Sequence, residues 1–159
     1  KALSRLNKMF RDDEVQKTYW AIVQKKPPKA SATLIHYLKK DQKKNKSFAY
    51  SSHKHDSKKA ILHYNTIAQS DNYYLLEVAL ETGRHHQIRV QLAQMGCNIK
   101  GDLKYGAKRS NRDGSISLHA RSISFIHPVS KNIIDILAPV PNDNLWQAFE
   151  KDLLRQSKG

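Results

Sequence analysis

The sequence contains very little cysteine, with Cys97 as its single thiol among 159 residues. One thiol excludes an internal disulfide framework and a cysteine-rich metal site. Cys97 follows Gly96 in a mostly apolar setting, which favours a small packing residue over a nucleophile. The scarcity also fits a reducing compartment, so a cytoplasmic location is expected.

Long apolar runs and acidic residues are also scarce. The sequence shows no apolar stretch as long as a membrane span, no signal-peptide pattern and no lipidation motif, so no membrane association is expected. Asp and Glu number 14 against 28 Lys and Arg, which gives a formal net charge of +14. This excess predicts a polyanionic partner, most simply nucleic acid. Lysines that only keep the chain soluble are the alternative.

Familiar catalytic motifs are absent from the sequence. It has no GxSxG elbow, no Walker-type loop and no dinucleotide-binding fingerprint, and nothing in it supplies an obvious nucleophile. Among the 8 histidines, His85 and His86 are adjacent, which would place them on different faces of a helix. His53, His55 and Asp56 form only a weak metal-like trio in a polar loop. Neither a metal nor an organic cofactor is therefore expected.

Apolar periodicity predicts an α+β fold in one domain, with a mixed, largely antiparallel sheet and a few flanking helices. Alternating, β-branched and aromatic segments predict strands, and apolar spacings of three and four predict helices. The predicted strands are 17–24, 32–38, 47–51, 61–69, 72–82, 116–126 and 132–138, and the predicted helices are 2–13, 84–95 and 143–156. The lysine-rich run at 39–46 is expected to form a mobile hairpin loop.

Residues 82–96, TGRHHQIRVQLAQMG, carry the strongest functional pattern. Ile88, Leu92 and Met95 have the spacing of one helix face, and Gly96 is typical of a helix C-terminus. The segment therefore predicts an amphipathic helix that packs on the sheet.

Polar residues gather where this helix is predicted to begin. Thr82 and Gly83 suit a cap and a tight bend, and Arg84 and Arg89 add positive charge to the helix N-terminus. Together they predict an anion site, with a solvated basic helix start as the alternative. A buried arginine is costly unless it is paired, and no acidic residue nearby in sequence is a clear partner of Arg89. We therefore expect its carboxylate to lie elsewhere.

Four segments in order resemble the RluA-like family of RNA pseudouridine synthases. KTYWAIV, which begins at Lys17, resembles the family's K-x-Y strand motif. Residues 75–106 are similar to its most distinctive block, a strand followed by GRxHQIR and G-D-x-x-Y-G. SLHARSISFIHPVS at 117–130 resembles the LHA strand pair, and APVPNDNLW at 138–146 resembles the closing segment.

One element of the family is missing. The family's catalytic aspartate sits in an H-R-L-D-R motif, and this sequence contains no such motif. Residues 1–159 are therefore expected to form a partial catalytic domain that lacks its N-terminal part and is inactive alone.

The resemblance implies isomerisation of uridine to pseudouridine in ribosomal or transfer RNA, without a cofactor, a membrane or an obligate protein partner. Arg89 would pair with the family's aspartate, Tyr19 would stack on the flipped uracil, and Leu118 would form an apolar wall beneath it. From the pattern alone, an aromatic strand residue such as Tyr19 is typical of core packing. Among the residues expected at the RNA, Arg84, His86 and Gln87 would contact phosphate or support the loop, and Lys17 would add a salt-dependent attraction.

Two other function classes stay open. A non-catalytic RNA-binding module derived from the same fold differs from an enzyme in lacking the H-R-L-D-R motif in its natural upstream sequence. A metal-dependent nuclease that uses the histidines would show metal-stimulated RNA cleavage.

Overall fold

A computed structural model describes residues 3–5, 8 and 15–158 of the chain. Within the predicted helix 2–13, residues 3–5 and 8 are helical, and the rest of that prediction lies outside the described residues. None of the helices in the described part is long and apolar enough to cross a membrane.

Seven strands form a single sheet. They are β1 (Gln16–Val23), β2 (Ser31–Asp41), β3 (Lys46–Tyr50), β4 (Lys58–Gln69), β5 (Tyr74–Leu80), β6 (Leu118–Ile126) and β7 (Ile133–Leu137). Their order across the sheet is β3-β2-β4-β5-β1-β6-β7, and each neighbouring pair is antiparallel. The other elements are the helices α1 (Gln87–Gln94) and α2 (Asn144–Lys158) and a 3₁₀ turn at Leu103–Tyr105. The α+β prediction is confirmed, although the sheet in the described chain is wholly antiparallel rather than mixed.

One face of the sheet is covered by α1. Strand side chains alternate between faces, so every second residue of the central strands points toward this helix. The largest core cluster joins Ile88 and Leu92 of α1 to Ala21, Val23, Leu62, Tyr64, Leu76 and Val78 of the strands. Cys97 packs in the same cluster and is 1% exposed, as expected of a packing residue. We call this side of the sheet the α1 face.

The opposite face is covered in part by α2. Trp146 and Phe149 of α2 pack with Trp20, Ile22 and Leu75 of the sheet. The predicted spacing of the C-terminal helix is thus confirmed by its buried residues. We call this side of the sheet the α2 face.

The lysine-rich segment departs from its predicted loop. β2 runs to Asp41 and β3 begins at Lys46, so only residues 42–45 form the turn. Lys39 pairs with Phe48 and Lys40 with Ser47 in the ladder. A polar segment forms a strand when its backbone finds hydrogen-bond partners and its side chains reach solvent. Here the backbone pairs with β3 and the lysine side chains extend into solvent. The prediction of a loop over 39–46 is therefore wrong.

Helix α1 begins later than predicted. Its first residue is Gln87 rather than residue 84, and His86 before it has a left-handed backbone with φ of 54°. That conformation does not continue into a helix, so Thr82 and Gly83 do not cap α1. The helix ends as expected, because Gly96 adopts φ of +91° just after it.

Candidate functional site

Arg89 forms a two-pronged ion pair with Asp102. Its Nε donates to Oδ2 at 2.9 Å and its terminal Nη2 donates to Oδ1 at 2.7 Å. The side chain of Asp102 is 1% exposed and that of Arg89 is 20% exposed. The hydrogen bonds to Asp102 raise the pKa of Arg89 and keep its charge fixed. Asp102 is thus a carboxylate partner of Arg89 within this sequence, and the pairing of Arg89 with an aspartate of another segment stays a prediction.

The backbone places Asp102 beneath α1 through a sharp turn. Ile99 forms an isolated antiparallel bridge with Val23, which attaches this segment to the end of β1. Gly101 follows with φ of +87°, and a Cβ at that position would lie 2.7 Å from the Asn111 side chain. Only glycine fits both the backbone and the space, so the turn that aims Asp102 at Arg89 depends on it.

His86 contacts the same guanidinium from the other side. Its Nε2 lies 3.1 Å from Nη1 of Arg89, and its Nδ1 lies 2.7 Å from the hydroxyl of Tyr105. A guanidinium only donates hydrogen bonds, so Nε2 must be unprotonated and the proton belongs on Nδ1. Burial, followed by the charge of Arg89, lowers the pKa of His86 to about 4. His86 is therefore a neutral support of Arg89, which matches one of its two expected roles, and its contact with RNA stays a prediction.

Tyr105 joins this network to the edge of the sheet. Its hydroxyl accepts a hydrogen bond from the backbone N–H of Ser47 at 2.9 Å. Its ring lies 5.0 Å from the guanidinium carbon of Arg89. Burial raises the pKa of Tyr105, which keeps the hydroxyl protonated. The Tyr105 side chain thus ties Arg89 to strand β3.

His85 and His86 stack on each other instead of diverging on a helix. Their ring centroids are 3.8 Å apart, because both residues precede α1. The ring of His85 also lies 3.0 Å from the Ser47 hydroxyl and 3.1 Å from Oδ1 of Asn45. The prediction of opposite helix faces is wrong, since it assumed that the helix began at residue 84.

Gln87 is a structural residue of the loop. It is 2% exposed, and its Oε1 accepts hydrogen bonds from the Thr82 hydroxyl at 2.8 Å and the Arg84 backbone at 2.9 Å. Its Nε2 donates to the carbonyl oxygen of Ile61 at 3.1 Å. A buried side chain with both ends engaged supports the loop, which is one of the two roles expected of Gln87, and its contact with phosphate stays a prediction.

Arg84 has the opposite environment. It is exposed, and its Nε donates to the carbonyl oxygen of Lys59 at 3.0 Å. Arg84 borders a small pocket of about 300 Å³ together with Lys40 and Lys58. Three cations around one pocket provide an attractive position for a phosphate, so Arg84 stays a candidate RNA contact.

Tyr19 and Leu118 lie close together on the α1 face. In the ladder between β1 and β6, Tyr19 pairs with Ala120 and Ala21 pairs with Leu118. Tyr19 and Leu118 are therefore diagonal neighbours, at a Cα separation of about 7–8 Å. Both are half-buried and pack against the core that contains Ile88. The sheet thus brings together the two residues expected to hold a base.

Lys17 completes the part of the predicted site that lies on β1. It is exposed and sits two residues before Tyr19, on the same face of the strand. Arg89 belongs to the helix that packs over this face, although its own hydrogen bonds go to Asp102 and His86.

In the part of the chain that the structure describes, no three His, Cys, Asp or Glu side chains lie close enough together to bind a metal ion. His55 and Asp56 are 3.2 Å apart, and both are exposed. His63 lies 2.5 Å from Glu81 across the α2 face and within 2.7 Å of the Thr33 hydroxyl. The first contact joins adjacent residues of an exposed turn, and those of His63 link it to neighbouring chain segments across the sheet surface.

Comparison with known proteins agrees with this geometry. Residues 1–94 match the family described as RNA pseudouridylate synthase. An uncharacterized RNA pseudouridine synthase of Mycobacterium bovis is 35% identical over 148 residues, which cover 90% of this chain and 47% of that protein. The ribosomal large subunit pseudouridine synthase D of Zymomonas mobilis is 36% identical over 94 residues, covering 54% of this chain and 30% of that protein.

Solved structures show the same fold. Human RNA pseudouridylate synthase domain containing 4 matches with a TM-score of 0.73 and 19% identity, covering 95% of this chain and 67% of that one. Human RNA pseudouridylate synthase domain containing 1 matches with a TM-score of 0.70 and 20% identity, covering 89% and 61%.

This chain belongs to the RNA pseudouridylate synthase family, and the RluA-like resemblance is confirmed. It spans about half the length of the curated relatives that it matches, as the 47% coverage of the Mycobacterium bovis protein illustrates.

Sequence reasoning missed three residues of the network: Asp102, Tyr105 and Ser47. The first two lie in GDLKYG, which carried the family resemblance without receiving a role. The local signal was weak, because Asp102 lies next to a glycine among polar neighbours such as Lys100 and Lys104, and nothing in that pattern indicates that it is buried. Ser47 carried no such signal, because its part depends on a backbone N–H.

Proposed function

We propose that this chain is the base-holding part of an enzyme that isomerises uridine to pseudouridine in RNA. The observation that carries the proposal is the meeting of Tyr19 and Leu118 on the sheet face that the Arg89 helix covers, within a chain of this family. The RNA substrate class comes from the family, and ribosomal or transfer RNA is the narrower expectation. We also infer a cytoplasmic location and no obligate protein partner.

The reaction itself requires positioning more than added reagents. The bond between N1 of uracil and C1′ of ribose breaks, the base turns, and C5 bonds to C1′ with loss of its proton to restore the ring. Product and substrate have the same composition, so no co-substrate is consumed. The target base must first leave its stack, which costs on the order of a few kcal/mol. The ring of Tyr19 would then stack on the uracil, with Leu118 as the apolar wall.

Asp102 does not supply the reacting carboxylate. It is 1% exposed and both of its oxygens are bound to Arg89, so it reaches no ribose carbon. A general base or nucleophile must reach the reacting atom directly or through one water. We therefore infer that the reacting aspartate lies in a segment with the H-R-L-D-R motif, which this sequence does not contain.

Arg89 has the capacity to hold that second carboxylate. A guanidinium carries five N–H groups, and among the described residues one on Nε, one on Nη2 and one on Nη1 are engaged. One N–H on each terminal nitrogen remains. These two would donate hydrogen bonds side by side to a carboxylate and hold it ionised.

The test compares the isolated chain with a restored one. RNA containing uridine is incubated with the 159-residue chain, and with the same chain fused behind the upstream segment of a family member chosen because it carries an H-R-L-D-R motif. Pseudouridine is measured by mass spectrometry. The isolated chain should form none, and the fusion should form it.

Two results would contradict the proposal. Turnover by the isolated chain would mean that the reacting carboxylate is already present. A folded fusion that binds RNA without converting any uridine would identify the chain as a non-catalytic binding module.

A further inference from the structure

The hairpin of β2 and β3 combines a dense positive charge with open aromatic rings. Residues 39–46 contain five lysines and one aspartate. Phe48 and Tyr50 follow on β3, and both are half-buried. Lysines at a hairpin tip are ordinarily a solvated surface, and the partly accessible rings beside them add area suited to the stacking of a base.

The rings line a pocket on the α2 face. Trp20 pairs with Glu77, Glu77 pairs with Asn65, and Asn65 pairs with Ser31 across neighbouring strands. Directly paired residues point to the same face of a sheet, so Ser31 lies on the α2 face with Trp20. Lys39 is an even number of residues from Ser31 on the same strand, and it pairs with Phe48. The pocket has a volume of about 500 Å³ and is bordered by Lys39, Lys40, Asp41, Gln42, Lys43, Phe48 and Tyr50.

The cations surround the rings closely. The ammonium nitrogens of Lys44 and Lys46 lie 5.8 and 5.5 Å from the centre of the Phe48 ring. That of Lys54 lies 5.9 Å from the centre of the Tyr50 ring. Rings for stacking next to mobile ammonium groups are the combination that binds single-stranded nucleic acid, since bases stack while lysines neutralise phosphates.

The turn of the hairpin is fixed before any ligand binds. The carbonyl oxygen of Asn45 accepts a hydrogen bond from Nζ of Lys104 at 3.0 Å, and its Oδ1 lies 3.1 Å from Nε2 of His85. The N–H of Lys44 donates to the carboxylate of Asp41 at 3.2 Å. A preorganised surface loses less conformational entropy on binding than a loose loop does.

We propose that the β2–β3 hairpin is a second RNA site, which stacks bases of a single-stranded segment on Phe48 and Tyr50. It lies on the opposite sheet face from Tyr19 and Leu118, so it would hold RNA flanking the target and not the target base itself. This inference rests on the proposed function for its choice of RNA as the ligand. β3 is the edge strand of the described sheet, and Lys40 borders both this pocket and the one that contains Arg84. Each pocket is bordered by three cations and one carboxylate, Asp41 or Asp56, so one strand of RNA has a net positive path around the edge.

The experiment measures the affinity of the full chain for a short fluorescein-labelled oligouridylate by anisotropy, over a series of salt concentrations. The double variant Phe48→Leu/Tyr50→Leu keeps apolar volume and removes the rings. It should bind roughly tenfold more weakly with an unchanged salt dependence, because stacking is sequence-tolerant and uncharged.

Charge is tested separately with a matched control. Lys43→Gln/Lys44→Gln should lower the slope of log affinity against log salt by about 1.4, the value for two phosphates of a single strand. Lys151→Gln/Arg155→Gln removes two exposed charges from α2 and should leave affinity and slope unchanged.

A direct readout uses Phe48→Trp. Emission from a tryptophan at this position should be quenched by the oligouridylate and much less by an RNA duplex of equal charge, whose bases are already stacked. Circular dichroism of each variant verifies that it is folded.

The outcomes separate the two proposals. If wild type binds RNA and the leucine variant binds equally well, the hairpin site is wrong while the proposed function stands. Equal quenching by duplex and single strand would also overturn it. If wild type binds no RNA, both proposals fail.

Discussion

Two regions that meet at β3 use their polar groups in opposite ways. In the network of Arg89, Asp102, His86 and Tyr105, nearly every donor and acceptor is engaged within the chain. In the β2–β3 hairpin, the lysine side chains at 39, 40, 43 and 44 are exposed. The first region fixes one guanidinium in one place, and the second presents exposed lysine side chains on a turn whose backbone is held. We therefore expect changes in the first region to affect the catalytic rate and changes in the second to affect the affinity for RNA.

The largest expected effect on folding comes from breaking the buried pair. Asp102→Ala leaves the Arg89 guanidinium without its carboxylate in a site where water has little access. We expect the free energy of unfolding to fall by about 3 kcal/mol, the lower end for a broken buried pair because Arg89 keeps some exposure. Urea denaturation followed by circular dichroism measures it.

The hairpin provides the matched control for that loss. Lys43→Gln/Lys44→Gln alters exposed side chains and should change the free energy of unfolding by no more than about 0.5 kcal/mol. If Asp102→Ala costs as little as this, the network is not the rigid region that its contacts indicate.

A smaller effect should appear with pH. His86 has its pKa lowered from 6.5 to about 4 in the folded chain, so the unfolded chain binds more protons between these values. Stability should therefore fall as pH drops from 6.5 toward 4, and it should be fully present above 6.5. After allowance for the partial exposure of the ring, the contribution of His86 is on the order of 2 kcal/mol.

Thermal or urea unfolding at several pH values measures this loss. Burial also lowers the pKa of His36, and burial with nearby cations lowers that of His85, so both add in the same direction. His86→Asn removes one contribution and should make the pH dependence shallower. An unchanged pH dependence would show that burial and the charge of Arg89 do not hold His86 neutral.

The sequence predicted those features that depend on local pattern. The alternation of Leu76 and Val78 located a buried strand face, and both are fully buried. The cost of burying Arg89 correctly indicated that it needs a carboxylate. The identity of that carboxylate depends on a turn that returns the chain under α1, and no local pattern encodes such a long-range contact.

The errors have the same physical origin. The lysine-rich run was predicted as a loop from its polarity, but pairing with β3 satisfies its backbone. The start of α1 was misplaced because Gln87 folds back on Thr82 and Arg84, which holds the preceding residues out of the helix. In both cases a hydrogen-bond partner distant from the predicted element decided the outcome.

The most direct test of the account is the effect of Arg89→Lys on turnover and RNA affinity, measured separately in the active fusion. Lysine keeps the charge but not the two-pronged geometry that holds a carboxylate on each side. We expect kcat to fall by about 100-fold or more, on the order of 3 kcal/mol, while the Kd for RNA changes by less than about twofold. Near-normal turnover, or a loss of RNA affinity as large as the loss of kcat, would contradict the account that Arg89 serves the catalytic step and does not bind RNA.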